Sequence, residues 1–169
     1  MNKVGISLGN NCFATDWGIK KNLRKKKVQG YKTCPFDIMV SNYQGVVQCI
    51  LNDFNDFCNP DYFLLNEQGL YNTKYNFSFN HESPGHADLY KTENWPEGPN
   101  HFTNNNYQHF IERYNNRIQA FREYLNDPNN FIIFFIQFVE HPNPNNNCQE
   151  LRHALSIKYP KLKYDIIVI

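Results

Sequence analysis

Cys12 follows a short apolar run, Lys3-Val4-Gly5-Ile6-Ser7-Leu8, and a Gly9-Asn10-Asn11 turn, and it opens a segment whose pattern predicts a helix. A thiol at the start of a helix meets unpaired backbone N–H groups and the positive end of the helix dipole, and both favour the thiolate. The same N–H groups can hold an oxyanion during acyl transfer. Free cysteine is also a common small apolar core residue, so chemistry at Cys12 requires partners: an imidazole to take and return the proton, and a group to orient it.

Six histidines are available. His81 ends the apolar run Phe77-Ser78-Phe79-Asn80, follows Cys12 in the chain order usual for thiol hydrolases, and opens a segment rich in Pro and Gly. It is the expected base, with His86 as its rival; His101, His109, His141 and His153 read as ordinary loop or helix-surface residues. Glu82 can orient His81 only if the strand has already ended, because adjacent strand residues point to opposite faces. Asp37 either orients the imidazole or belongs to a Pro35-Phe36-Asp37 turn, with Phe36 in the core and Asp37 capping backbone groups of Ser41 to Tyr43. His81 and His86 flank a Pro-Gly turn, but no close Cys pair or carboxylate–His helix motif completes a ligand set, so no metal and no cofactor are expected.

Ser7-Leu8-Gly9-Asn10-Asn11-Cys12 together with Pro35-Phe36-Asp37 resembles the opening of a family described as putative papain-like cysteine peptidases, of bacteria and large DNA viruses. That family has Ser-Leu-Gly-x-x-Cys, a basic helix, and Pro-Phe-Asp followed by Trp. Phe77 to Glu82 resembles its apolar strand ending in His and an acid, Tyr114 to Phe121 its Arg-containing helix, and Phe131 to Phe138 the strand after it. The resemblance implies a Cys12 nucleophile with His81 as base. Ile38 stands where the family usually has Trp, and Glu82 where it more often has Asp. Papain-type enzymes complete their oxyanion hole with a Gln a few residues before the nucleophile. That region is apolar here, so Asn10 or Asn11 must take the role.

At 169 residues, with 41% hydrophobic residues and 16% aromatic, the chain suits a single domain over 1–169 with a core of its own. A net charge of +1 gives no global reason to bind nucleic acid or an acidic membrane. The five cysteines (Cys12, Cys34, Cys49, Cys58, Cys148) form no close pair and cannot all pair internally. No signal segment is apparent, and the longest apolar run, Phe131 to Val139, is interrupted by Gln137 and too short to span a bilayer. A reducing compartment is therefore expected: the cytoplasm, or the host cytoplasm if the protein is viral. The abundance of Asn, Tyr, Ile, Phe and Lys points to an AT-rich genome, viral or low-GC bacterial, and accounts for runs such as Asn104-Asn105-Asn106.

The elements that must hold these residues follow from periodicity. Helices are predicted over Cys12 to Lys26, with a basic, solvated end at Lys20 to Lys27, over Tyr43 to Phe54, over Tyr107 to Asn126 and over Asn147 to Lys158. Strands are predicted at the first apolar run, Tyr62 to Leu65, Tyr75 to Phe79, Phe131 to Phe138 and Tyr164 to Ile169, and Ser83 to Asn106 reads as a long loop of the kind that forms lids. The final strand–helix–strand unit is nearly continuous in apolar character and argues for a parallel crossover covered on both faces. The expected fold is α/β, a mainly parallel sheet flanked by helices; the alternative is an α+β papain-like architecture. The apolar end at Ile166 to Ile169 leaves two possibilities, a last strand buried in mid-sheet or a natural chain that continues and carries a third catalytic residue.

Two functions from different classes fit. One is a thiol hydrolase or acyl transferase in which Cys12 and His81 act on a peptide, isopeptide or other amide or ester. The other is a non-catalytic binding module on the same scaffold, using the Ser83 to Asn106 segment for a partner.

Overall fold

The computed structural model describes residues 1–138 and 146–169. A parallel sheet forms around β5 (Asn130–Ile136), with β1 (Asn2–Ser7) on one side and β6 (Tyr164–Val168) on the other. The central strand, Asn-Phe-Ile-Ile-Phe-Phe-Ile, is buried along almost all its length because both of its faces are covered. On one face Trp17 and Gly18 of α1 (Cys12–Lys20) meet Phe135. On the other, Phe121 of α4 (Asn104–Asn126) meets Phe134. A side chain at Gly18 would run into the Phe135 ring, so glycine sets how closely α1 approaches the sheet.

A second sheet is antiparallel: β2 (Phe63–Asn66), β3 (Gly69–Asn72) and β4 (Phe77–Ser78). The α/β expectation of a parallel sheet between helices holds, and this small sheet is added to it. β3 is not among the predicted strands: Gly69-Leu70-Tyr71-Asn72 is too short and polar to read as a strand alone, and pairing on both sides makes it one. Between the sheets lies an aromatic core in which Phe36, Phe54, Phe57, Phe77, Phe79, Phe110, Tyr114 and Phe121 contact one another, mostly edge-to-face or tilted, with Phe36 stacked on Phe54. α2 (Tyr43–Leu51) supplies Val46, Val47 and Ile50 to this core and packs on α5 (Gln149–Lys158).

Several predicted boundaries move. The first helix ends at Lys20 rather than Lys26, and the chain turns back so that the backbone of Leu23 and Arg24 lies against Gly5 of β1, an approach only glycine allows. The 83–106 segment is not an open loop. It carries short 3-10 turns at His86–Asp88 and Gly98–Asn100 and a one-turn helix, α3 (Leu89–Thr92), and it buries Trp95 and Phe102 against each other. β6 lies at a sheet edge, half-buried, not in mid-sheet. No described helix is long and apolar enough to cross a membrane. His141 lies outside the described residues.

Candidate active site

Parallel strands present their carboxyl ends together, and the turns leaving them are where open α/β sheets place ligands. The turn from β1 to α1 is of this kind. Leu8 N–H donates to Phe135 O at 3.0 Å, and Gln137 N–H donates to Gly9 O at 2.9 Å, so the carboxyl end of β5 brackets the turn. From the other side Ser41 N–H donates to Asn10 O at 2.6 Å and Ser41 Oγ donates to Leu8 O at 3.0 Å. Gly9 has φ +105°, and a side chain there would strike Ser41 Oγ, so glycine is required on both counts.

Asn11 caps α1: its Oδ1 accepts from Phe13 N–H at 2.9 Å. Cys12 is the first residue of the helix and the one exposed cysteine of the five. Burial pushes the other four thiols up, Cys34 and Cys49 strongly, Cys58 to about 12, and Cys148 less. Phe13, beside Cys12, is half exposed, an apolar surface next to the thiol. Asn10 is half-buried, and its Oδ1 is buried without a partner.

His81 sits in a 3-10 turn, Asn80–Glu82, so the strand has ended and Glu82 does not point opposite to it in a pleat. The turn is tied down by Ser83 Oγ, which accepts from Leu70 N–H at 2.8 Å and donates to Phe79 O at 2.7 Å. His81 is half-buried, with its ring centroid 6.2 Å from that of His86. Burial holds its imidazole below the ordinary histidine value, more than the nearby Glu82 and Glu93 carboxylates raise it.

The two motif carboxylates are held by arginines. Glu82 is fully buried and accepts from Tyr114 Oη at 3.2 Å and Arg117 Nη1 at 3.2 Å, with Arg113 Nε 3.4 Å away. Burial first, and then the charge of Glu82, push the Tyr114 phenol well up, so it remains a donor. Asp37, also fully buried, accepts from Arg24 Nη2 at 3.0 Å and from Cys34 N–H at 2.7 Å. Arg24 is sandwiched between Asp37 and the Tyr31 ring, 3.9 Å from its centroid. Of the two readings of Pro35-Phe36-Asp37, the turn with Phe36 in the core matches this geometry, but Asp37 caps Cys34 rather than Ser41 to Tyr43.

Among the described residues no hydrogen bond or ion pair joins Cys12 to His81, or Asp37 to a histidine. What connects the Cys12 and His81 turns is the segment between them. Ser41 holds the Cys12 turn, Val40 pairs with Ser78 through two backbone hydrogen bonds of 2.9 Å, and Ser78 Oγ donates to Asn80 Oδ1 at 3.0 Å. Arg24 and Arg113 do not stand out in the sequence, and Arg117 does so only within the Arg-containing helix, with nothing to pair it with Glu82. Arg24 was counted in the basic helix end; nothing local marks it as buried, and only the Pro35-Phe36-Asp37 carboxylate needing a partner could have singled it out.

An α/β domain with an exposed cysteine at the carboxyl edge of its parallel sheet is the class these features define. Residues 3–169 match the model of a family described as "Putative papain-like cysteine peptidase (DUF1796)", and the chain belongs to that family. Searches of curated proteins and of solved structures find no match.

Removing Arg117 leaves the buried Glu82 carboxylate with only Tyr114 and the more distant Arg113, so Arg117→Met is expected to destabilise by about 3 kcal/mol, while Arg117→Met with Glu82→Leu costs clearly less. Urea unfolding of the two variants checks this; a double variant no more stable than the single one contradicts the pairing. Because the native pKa of His81 lies below its unfolded value, the unfolded state binds the extra proton first. Stability is then full above about pH 7 and falls as pH drops through about 6.5 toward the depressed native value. His81→Gln should flatten that part of the stability profile.

Proposed function

We propose that the chain is a thiol hydrolase or acyl transferase with Cys12 as nucleophile and His81 as base. The observation that carries the proposal is the placement of Cys12: exposed, first in a helix, in a turn braced from both sides at the carboxyl edge of the sheet, while Cys34, Cys49 and Cys148 are buried and Cys58 is half-buried. Family membership supports a peptide as the substrate class.

In this mechanism His81 takes the thiol proton and the Cys12 sulfur attacks a carbonyl carbon, forming a tetrahedral oxyanion. Phe13 N–H is already used by Asn11, which leaves the Cys12 N–H and the Asn11 or Asn10 amide group as donors to the oxyanion. The imidazolium returns its proton to the leaving amine or alcohol as the carbon–heteroatom bond breaks. Water, or another nucleophile in a transferase, then attacks the thioester and releases Cys12. Asp37 enters as a positioning residue, through Arg24 and the 34–37 turn.

The second reading, a binding module without turnover, draws on the occupied state of both motif carboxylates, which leaves neither Asp37 nor Glu82 free to orient an imidazole.

Competitive iodoacetamide labelling with mass spectrometry separates the two. Cys12 should label fastest of the five thiols, and its pH–rate profile should move to higher pH by about one unit or more in His81→Ala, since one unit corresponds to about 1.4 kcal/mol between protonation states. His86→Ala, His109→Ala and His141→Ala should leave the profile in place. Labelling of Cys12 no faster than Cys148, or a profile unmoved in a folded His81→Ala variant, contradicts the dyad; a shift confined to His86→Ala or His141→Ala reassigns the base.

A further inference from the structure

A separate cluster lies where the segment before α4 meets that helix. One carboxylate oxygen of Glu97 and one ring nitrogen each of His101 and His109 all lie within 4.8 Å of one another. His109 Nε2 is 3.2 Å from Glu97 Oε1, and the two imidazoles stack with centroids 4.2 Å apart and planes 15° from parallel. Regular helical geometry in α4 starts only after Tyr107, since Asn105, Asn106 and Tyr107 have positive φ, so His109 sits in its first regular turn.

The independent observation is His101. Its Nδ1 is buried with no hydrogen-bond partner among the described residues, a state that costs free energy unless something fills the position. Trp95 and Phe102 wall the ring, the Phe102 centroid at 4.8 Å. The other polar neighbours leave the donors available. The Asn104 amide is 3.5 Å from the second Glu97 oxygen, Oε2, while Arg113 lies over the Phe102 ring and is engaged by Glu82.

We propose that Glu97, His101 and His109 bind a divalent transition-metal ion of the zinc class as a two-histidine, one-carboxylate set with an open fourth position. Imidazole donors select such an ion over magnesium or calcium, which prefer oxygen alone. Metal–ligand bonds of about 2.0–2.2 Å place tetrahedral donors about 3.3 Å apart. The His109–Glu97 pair already meets that spacing; His101, stacked on His109, has to turn out of the stack for its ring nitrogen to point at the same ion. The bound ion clamps the 97–101 segment onto α4 and so holds Trp95 and Phe102 in place. His101 and His109 lie eight residues apart on two elements, a spacing that matches no linear metal motif, which is why both read as ordinary in the sequence.

The test uses the full chain in a Cys12→Ser background, which removes the exposed thiol and makes the result independent of the proposed hydrolase. After chelator treatment and desalting, zinc is titrated calorimetrically and cobalt(II) by its visible absorption near neutral pH. One equivalent should bind. Glu97→Gln and His109→Ala should each weaken binding at least about tenfold, whereas His81→Ala with His86→Ala should not. Glu97 is exposed, so its variant decides the matter if His109→Ala fails to fold. Absence of saturable binding overturns the proposal, as does binding that Glu97→Gln and His109→Ala leave unchanged, which would place the ion at other histidines or at thiols.

Discussion

The fully buried carboxylate of Glu82, held by Arg117 and Tyr114 with Arg113 alongside, is the contact on which the arrangement of this molecule turns. An isolated charge cannot remain in an apolar interior, so the Asn80–Glu82 turn is confined to the one place on α4 where these donors converge. Arg117 also feels the charge of Asp37, whose own partner, Arg24, comes from the chain that folds back across β1. Two buried acids and three arginines thus connect α4, the 34–37 turn, the return after α1 and the His81 turn. Replacement of such a cluster by apolar groups need not cost stability; what the charged pairs add is a restriction on where these segments can meet.

This explains why motifs far apart in sequence belong together. Pro35-Phe36-Asp37, His81-Glu82 and the Arg-bearing helix look like separate motifs in the sequence. In the folded chain their acidic members are joined to arginines, and the same segments hold the Cys12 turn through Ser41 and the His81 turn through the end of β4, the two residues to which the proposed function gives the chemistry. The zinc-class clamp proposed at Glu97, His101 and His109 would act on the same helix, one turn before Arg113.

Periodicity carried most of the fold. The long stripe Phe110, Tyr114, Ile118, Phe121, Leu125 and the apolar run at 131–136 were legible because each is long and buried on a predictable face. Lys20 to Lys27 was misread because charge alone does not reveal that the chain reverses; that reversal depends on Gly5, whose lack of a side chain admits the Leu23–Arg24 backbone. The 83–106 segment was misread for a related reason. Its Pro and Gly residues signal turns truthfully, but burial of the lone aromatics Trp95 and Phe102 is a tertiary fact with no period to expose it. At the site, Cys12 and the glycine turn before it stood out from spacing, whereas the partners of Asp37 and Glu82 did not, since pairing across 13 and 35 residues leaves no local pattern.

The claim at the centre is that the Cys12 and His81 turns, bridged by Val40–Ser41 and Ser78–Asn80, form one ionising unit. The most direct test is an NMR titration of the His81 imidazole in the intact protein and in Cys12→Ser. If the two groups share a cleft, the Cys12 thiolate stabilises the imidazolium, and its removal should lower the His81 pKa measurably while leaving His153 unchanged. Superimposable His81 titrations in the two proteins would contradict the pairing.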